Sequence, residues 1–429
     1  MATPSTLPAG SLSPTPAWVV HLFTFMNSMG TALVTNGVFY ITESGYGFTR
    51  TDNFWLALYM GASYVVSAWT TQPVVAWLRR KLPGLSSRGV LLTLMVALAA
   101  LCLVPLGMQM CGASSRSGRW GLVGIWVTVL AYNMLTGVLW PMVESFIAGG
   151  RRGDELRRTM GTWNVCWASA AIPATFLLAP LVHSYPNEAI ASMTVIHLAA
   201  AWLLTRFTHE PVPLEVDEPE PHPPIYDKLL VAFRLLMPMA YAVFTTLSPM
   251  LTTMFGDQGV DENYRPLLGL SWVVPRILGF LIFGMWAGGH GKWWPAVGGG
   301  VTLVVGFGIA VLSPQLGSPS VVLPVMMVGL GVFGLGMSMV YSGAIYYAME
   351  VHKSDVEAGG THETLVGIGY TAGPMCGLLA TGGVGTPWGA GWDFGTVLFS
   401  LVGLGAVGWT IWVMYRVRHL AASADAGRR

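Results

Sequence analysis

Charge is scarce in this sequence. Only 10% of its 429 residues are Asp, Glu, Lys or Arg, whereas a soluble domain carries roughly 25%. Because so few charges cannot cover a water-exposed surface, a soluble globular protein is excluded. The 22 basic and 21 acidic residues also nearly balance, so the chain lacks the excess positive charge of a nucleic-acid-binding protein.

The signatures of catalytic and metal sites are missing as well. The four cysteines form no Cys-x-x-Cys pair, which argues against a disulfide framework and against a zinc site. There is neither a Gly-x-Ser-x-Gly elbow nor a P-loop. His362 and Glu363 match the start of the zinc-binding pattern H-E-x-x-H, but Val366 stands where the second histidine is required. Glu363 instead suits the first turn of a helix, where a negative charge is favourable. We therefore expect no enzyme, no cofactor and no bound metal.

Long apolar runs dominate what is present. Hydrophobic residues make up 53% of the chain, and a membrane helix needs about 20 mainly apolar residues. The runs are continuous, whereas the strands of a membrane barrel alternate. The sequence thus predicts an all-α polytopic membrane protein with twelve spans, at residues 17–42, 54–78, 88–110, 121–148, 160–182, 189–207, 229–253, 265–287, 293–313, 319–349, 362–382 and 393–417.

The basic residues predict the orientation of these spans. Successive loops between the spans lie on opposite sides of the membrane. The loops on one side, together with the tails, contain sixteen of the 22 Lys and Arg residues, and the loops on the other side contain four. The remaining two, Arg234 and Arg276, lie inside spans. Since cytoplasmic loops carry the excess of Lys and Arg, we expect both termini in the cytoplasm.

One acidic, Pro-rich segment divides the chain. Residues 208–228 separate six spans from six and have a composition that cannot form a packed core. We therefore expect a disordered N-terminal tail at 1–16, a six-helix bundle at 17–207, a cytoplasmic linker at 208–228, a second bundle at 229–418 and a C-terminal tail at 419–429.

The two halves show weak internal similarity. The fifth span of each half carries a proline, Pro173 and Pro374, at the same depth. Internal repeats of this kind are common in transporters, although two Gly- and Ala-rich helices could also share a proline by chance.

The chain resembles the major facilitator superfamily over nearly its whole length. That family's loop signature after the second helix of a half, G-x-x-x-D-x-x-G-[RK]-[RK], is matched in part by Gly284 to Trp293, with both glycines and Lys292 in place. Gly288 stands where the acid belongs, and the first half keeps only the basic end, Arg79 to Lys81. The basic cluster could equally be a determinant of topology alone.

A second family pattern, G-x-x-x-G-P-x-x-G, marks antiporters when it lies on the fifth helix. Here Gly369 to Gly377 match it on the eleventh helix. Small residues at this spacing let helices approach closely, and proline bends a helix. We interpret the match as packing rather than as evidence for antiport.

Arg276 is the most informative polar residue because it lies at the centre of the eighth span. An arginine at this depth needs compensation, and three interpretations are open. The guanidinium could bind helix carbonyls or stack on an aromatic ring such as Trp272, it could pair with a carboxylate that moves during a transport cycle, or it could await an anionic substrate. In the family that the chain resembles, this helix borders the central cavity, which favours the last two.

Other polar residues near mid-depth are predicted to contact substrate on the same resemblance. Each of them could instead serve helix packing. With Arg276, the predicted binding residues are Asn36, Tyr132, Asn133, Asn164, Thr245 and Tyr341.

Two acids near the inner ends of helices hold similar positions in the two halves, Glu144 and Glu350. Either could carry a coupling proton or form a cytoplasmic gate. Alternatively, each could simply pair at the membrane surface with Arg151, Arg152 or Lys353.

The sequence therefore predicts a secondary active transporter of the twelve-helix type, working by alternating access. We expect a small-molecule substrate, preferably anionic, a proton as coupling ion, a monomer, no nucleic acid, and residence in a lipid bilayer, that of a bacterial cell membrane. The alternative is a non-transporting sensor or assembly factor built on the same scaffold.

Overall fold

The structure is a computed structural model that describes residues 13–111, 118–212, 223–351, 356–384, 386 and 391–426. These residues form helices and connecting turns, with no strand among them. We number the helices that cross the bundle α1 to α12, merging segments that follow one another without leaving the helix path.

The first half contains α1 to α6 and the second half contains α7 to α12. In chain order the helices are α1 Ala17–Tyr46, α2 Arg50–Lys81, α3 Ser87–Met110, α4 Arg119–Ala148, α5 Gly153–Ser169 continuing as Ala171–Leu178, α6 Pro186–Arg206, α7 Ile225–Asp257, α8 Arg265–Met285, α9 Trp294–Leu316, α10 Pro319–Val351, α11 Val356–Gly383 and α12 Phe394–Val417, which continues to Ala426.

Ten of these helices are long and apolar enough to cross a membrane, counted over the described residues. The two others, α2 and α5, are more polar, and both pack against the opposite half. A Cβ on Gly61 of α2 would lie 2.4 Å from the Tyr370 carbonyl carbon of α11, and one on Gly161 of α5 would lie 2.9 Å from the Gly284 carbonyl oxygen of α8. In α5 the interruption at Ala170 also limits the first helical segment to 17 residues.

The same close approaches show how α11 uses its glycines. Gly369 and Gly373 lie against the backbone of α7, and Gly377 lies against the ring of Phe54 in α2. Side chains at these positions would push the helices apart, so the glycine pattern serves packing, as interpreted from the sequence. Pro374 lies within an unbroken α11, whereas α5 is interrupted at Ala170, just before Pro173.

Some segment boundaries differ from those expected. Thr15, assigned to the tail, hydrogen-bonds Thr208, and its carbonyl accepts a bond from Arg151. At the start of the expected linker, Glu210 pairs with Arg79 at 2.7 Å, and at its end α7 begins at Ile225 rather than at 229. The hydropathy of the sequence does not predict that Thr15 and Glu210 are held in place, because hydrogen bonds and an ion pair position them rather than apolar burial. The rest of the expected linker, 213–222, lies outside the described residues, as do 1–12 and 427–429.

The two halves touch at both ends of the bundle. At the end opposite the termini, Arg265 pairs with Glu43 at 2.8 Å and Arg50 pairs with Asp257 at 3.2 Å. At the other end, the Gly153 N–H donates to Glu350 at 3.2 Å, and Gly161 meets Gly284. Contacts between the two halves therefore narrow the space between them at each end of the bundle.

Candidate functional site

A cavity lies between the halves and contains about 670 Å³ of empty space. Helices of both halves contribute to its wall, and eight of its 17 lining residues are aromatic. The lining residues are Ser28, Thr31, Ala32, Thr35, Asn36, Tyr64, Trp140, Trp163, Trp167, Ala171, Tyr241, Phe244, Arg276, Tyr341, Glu363, Val366 and Tyr370.

Arg276 supplies the positive charge of this cavity. The residue is only 5% exposed, and its guanidinium carbon lies 4.3 Å from the ring centre of Trp272 and 4.6 Å from that of Trp167. Its Nε has no hydrogen-bond partner, and none of the ion pairs in the described part of the chain involves it. Two aromatic faces thus stabilise the cation, while its hydrogen-bonding capacity stays available.

A distorted turn of α1 forms the facing wall. Residues Ala32–Gly37 adopt the wide i to i+5 helical turn, a local geometry that is often found at functional sites. Thr35 and Asn36 lie on this turn and line the cavity. Thr35 donates to the carbonyl of Thr31 one turn earlier, whereas no hydrogen bond within the described residues ties down the Asn36 amide.

Acidic groups gather at one edge of the cavity. Glu363 of α11 lines it, is 4% exposed, and accepts a hydrogen bond from the Tyr64 hydroxyl of α2. Glu144 of α4 and His362 are buried beside Glu363, and one ligand atom from each of the three lies within 4.8 Å of the others. The cavity therefore contains both a buried cation and a buried acidic cluster.

Three of the predicted binding residues line this cavity: Arg276, Asn36 and Tyr341. The Tyr341 ring packs against Trp167 at 5.1 Å and against His362 at 5.4 Å, so it joins the arginine end of the cavity to the acidic end.

The other four predicted residues lie elsewhere. Tyr132 is buried in the first half, where its hydroxyl bonds His197 at 3.1 Å. Asn164 accepts a bond from Trp167 at 3.1 Å, which orients a cavity-lining ring. Asn133 and Thr245 border a smaller space beside Asn36, and both donate to helix carbonyls. Mid-depth position alone does not distinguish these packing roles from contact with the cavity.

The two predicted coupling acids have different environments. Glu144 is fully buried, and its carboxylate faces the carboxylate of Glu363. Among the ion pairs of the described residues, none joins it to Arg151, whose guanidinium instead faces Glu155 at 3.5 Å. Glu350 is half-buried and accepts the Gly153 N–H from the other half, a contact that suits a gate.

Glu363 is a buried acid of the cavity wall that the sequence analysis did not place among the candidate site residues. The assignment to the first turn of a helix was wrong, because α11 begins at Val356 and Glu363 lies two turns inside it. In the sequence, the apolar run of the eleventh span starts only at residue 362, because the residues before it are polar and glycine-rich. This start placed Glu363 in the first turn of the expected helix. A helical projection that extends the run towards its N-terminus would have shown Glu363 on the same face as Val366 and Tyr370, which also line the cavity.

Comparison with known proteins gives matches in structure alone. No protein-family model and no curated protein matches the sequence. Solved structures do match: the human organic anion transporter MFSD10 (TETRAN), with a TM-score of 0.64 and 14% identity, and the Escherichia coli fucose:proton symporter FucP, with a TM-score of 0.57 and 12% identity. Each alignment covers 94% of this chain and 98% of the other, and FucP in its outward conformation matches equally well.

The chain therefore has the fold of the major facilitator superfamily of transporters. It is an all-α, multi-pass membrane protein, as predicted, and the residues that the structure describes form twelve helices, of which ten are long and apolar enough to span a membrane. At this level of identity the likeness concerns the fold, and substrate and coupling have to be argued from the cavity itself.

Proposed function

We propose that the protein is a secondary active transporter that moves a small organic anion by alternating access, in exchange or symport with protons. The observation that carries the proposal is Arg276, a buried cation on the cavity wall with no acidic partner among the described residues. A carboxylate or phosphate on the substrate would supply the missing charge through two parallel hydrogen bonds.

The rest of the wall favours an anion with a flat apolar body. Trp140, Trp163, Phe244 and Tyr370 offer further ring surfaces in the cavity wall, and most ligand sites combine such surfaces with a few placed polar groups. Thr35 and Asn36 would hydrogen-bond a polar substituent at the opposite end. An aromatic carboxylate meets all of these requirements, and the similar human structure is also of an organic anion transporter.

Alternating access is supported by the contacts between the halves. Glu43–Arg265 and Arg50–Asp257 close one end, while Gly153–Glu350 closes the other. Because each end is closed by only a few polar contacts, these contacts can break and re-form as the halves rock around the cavity. Glu350 therefore belongs to a gate at the predicted cytoplasmic side.

Proton coupling is assigned to Glu144 and Glu363. Two carboxylates this close in a buried site repel each other when both are ionised, so the pair favours sharing a proton. They lie on opposite halves, and rocking would separate them and change their exposure. Movement of a proton between the pair and water would then be linked to the movement of substrate.

Uptake into proteoliposomes tests the proposal. A labelled aromatic carboxylate should accumulate, and its neutral amide should not. Arg276→Gln should abolish uptake, while Arg80→Gln, which alters an exposed arginine in the last turn of α2, should retain it. Equal transport of acid and amide, or full activity of Arg276→Gln, would contradict the anionic assignment.

Coupling is tested in the same vesicles. An imposed pH gradient should drive accumulation, and a protonophore should remove it. Glu363→Gln should keep exchange of labelled for unlabelled substrate but lose accumulation driven by the gradient. Accumulation that persists with the protonophore would refute the proton assignment and leave the anion site standing.

A further inference from the structure

The acidic edge of the cavity has the composition of a metal site. One carboxylate oxygen of Glu144, one of Glu363 and one ring nitrogen of His362 lie within 4.8 Å of one another. All three residues are buried, with exposures of 0%, 4% and 1% respectively. The sequence could not reveal this set, because Glu144 lies more than 200 residues before the other two.

The histidine of the set has unused bonding capacity. Neither ring nitrogen of His362 has a hydrogen-bond partner among the described residues, whereas buried polar atoms in folded proteins are almost always hydrogen-bonded. The Glu144 carboxylate faces that of Glu363, and the two can hydrogen-bond each other only when one of them is protonated. The open imidazole beside this carboxylate pair therefore indicates a ligand that comes from outside the chain.

The backbone directs these side chains at one another. Gly359, His362 and Glu363 occupy positions i, i+3 and i+4 of α11 and so share one helix face. Gly359 lies against α4, where a Cβ would be 2.7 Å from Glu144 Oε2 and 3.0 Å from Pro141. The absent side chain lets α4 approach α11 and brings the Glu144 carboxylate to the His362–Glu363 face.

The ligand types select the kind of ion. Two carboxylates balance a divalent charge, and imidazole favours zinc-like transition metals over Mg²⁺ and Ca²⁺, which prefer oxygen ligands alone. Bonds of about 2.0–2.2 Å place tetrahedral ligand atoms about 3.4 Å apart. Each side chain would need to shift by about an ångström, which rotation about its own bonds allows.

We propose that Glu144, His362 and Glu363 form a binding site for a divalent transition-metal ion that bridges the two halves. Glu363 also borders the cavity, so the fourth coordination position opens to water or to a carboxylate of the substrate. Because the ligands come from α4 and α11, the bound ion holds the predicted cytoplasmic side closed. The ion displaces the proton that Glu144 and Glu363 share in the proposed transport cycle, so metal and proton compete for this pair and the ion inhibits transport. Metal binding itself is independent of the proposed anion site at Arg276.

Titration of the purified full-length protein tests this site. Protein stripped with a chelator is titrated with ZnCl₂ by calorimetry and with CoCl₂ by visible absorption. We expect one saturable ion per chain with micromolar or tighter affinity, and d–d bands typical of four- or five-coordinate cobalt. MgCl₂ and CaCl₂ should give no saturable binding.

Substitutions locate the ion. His362→Asn and Glu144→Gln should each weaken zinc binding at least tenfold, while His183→Asn, which changes an exposed histidine outside the cluster, should leave it unchanged. Using two variants protects the test against the misfolding of one, and size-exclusion profiles report folding. Absence of saturable zinc binding to the folded protein, preference for Ca²⁺, or unchanged binding in both variants would overturn the proposal. Anion binding measured without metal reports on the Arg276 proposal separately.

Discussion

At the scale of single residues, the site depends on how a buried arginine is kept both stable and available. Trp167 and Trp272 cover the guanidinium of Arg276 at 4.6 Å and 4.3 Å. Cation–π contacts of this kind contribute roughly 1–2 kcal/mol where water is excluded, yet they leave the N–H groups without acceptors. The aromatic pair therefore positions the cation without neutralising it.

Removal of one ring should weaken anion binding. We expect Trp167→Leu to lower the affinity for an aromatic carboxylate about 2- to 10-fold, because the ligand loses contact with a lining ring and such aromatic pairs contribute roughly 0.5–1.5 kcal/mol. Isothermal titration calorimetry measures the effect. Trp69→Leu is the control, because Trp69 is 74% exposed on the outside of the bundle. Equal affinities of the two variants would remove Trp167 from the site.

Arg276 also shows how far the sequence predicts a candidate site. Its depth in the eighth span and the lack of a nearby acid in sequence single it out as a candidate binding residue, and the structure places it on the cavity wall and in contact with Trp272, as one of the interpretations had it. Tyr64, Tyr241 and Tyr370 were not found, because aromatic residues inside a span look alike until the packing of helices decides which rings face the cavity. The sequence also gave no sign that α4 and α11 bring Glu144 to Glu363.

At the scale of helices, glycines determine how closely the halves approach. Gly61 in α2 contacts the backbone of Tyr370 in α11, and Gly367 in α11 contacts Val65 in α2. Close approach through small residues is a common way for membrane helices to pack. Helix lengths and most boundaries follow from hydropathy, whereas the pairing of α2 with α11 does not, since it depends on contacts about 300 residues apart in the chain.

A methyl group at Gly61 should disrupt this pairing. In Gly61→Ala the new Cβ would lie 2.4 Å from backbone atoms of α11, and overpacking typically costs about 1–3 kcal/mol. The thermal unfolding midpoint in detergent should fall by several degrees. Gly408→Ala is the matched control, because nothing lies within 4 Å of a Cβ there, so its midpoint should stay the same or rise slightly. A Gly61→Ala midpoint equal to that of the wild type would show that the α2–α11 contact does not limit stability.

At the scale of the whole molecule, the two halves enclose the cavity through ion pairs at one end and backbone contacts at the other. Glu43–Arg265 is the better shielded outer pair, with side chains 21% and 15% exposed. The pair joins α1 to α8, the two helices that also carry Asn36 and Arg276. Its loss should therefore affect access to the site directly.

Breaking this pair should shift the protein towards a state open at that end. In a background that lacks the four native cysteines, Thr35→Cys reports access to the cavity through its rate of labelling by a water-soluble maleimide. We expect Glu43→Gln to raise this rate severalfold. Glu210→Gln breaks an ion pair inside the first half and should not change it. If both variants label at the wild-type rate, the outer pair is not a gate.

The most direct test of the central claim is the binding of an aromatic carboxylate and of its neutral amide to purified wild-type protein and to Arg276→Lys and Arg276→Gln. Charge-assisted hydrogen bonds each contribute about 1.5–3 kcal/mol, so Arg276→Gln should lose at least tenfold in affinity for the acid and none for the amide. Arg276→Lys should keep part of the affinity, because a single ammonium cannot reproduce the paired guanidinium contact. Acid and amide that bind the wild type equally, or an Arg276→Gln variant that binds the acid as the wild type does, would contradict an anion-binding role for Arg276.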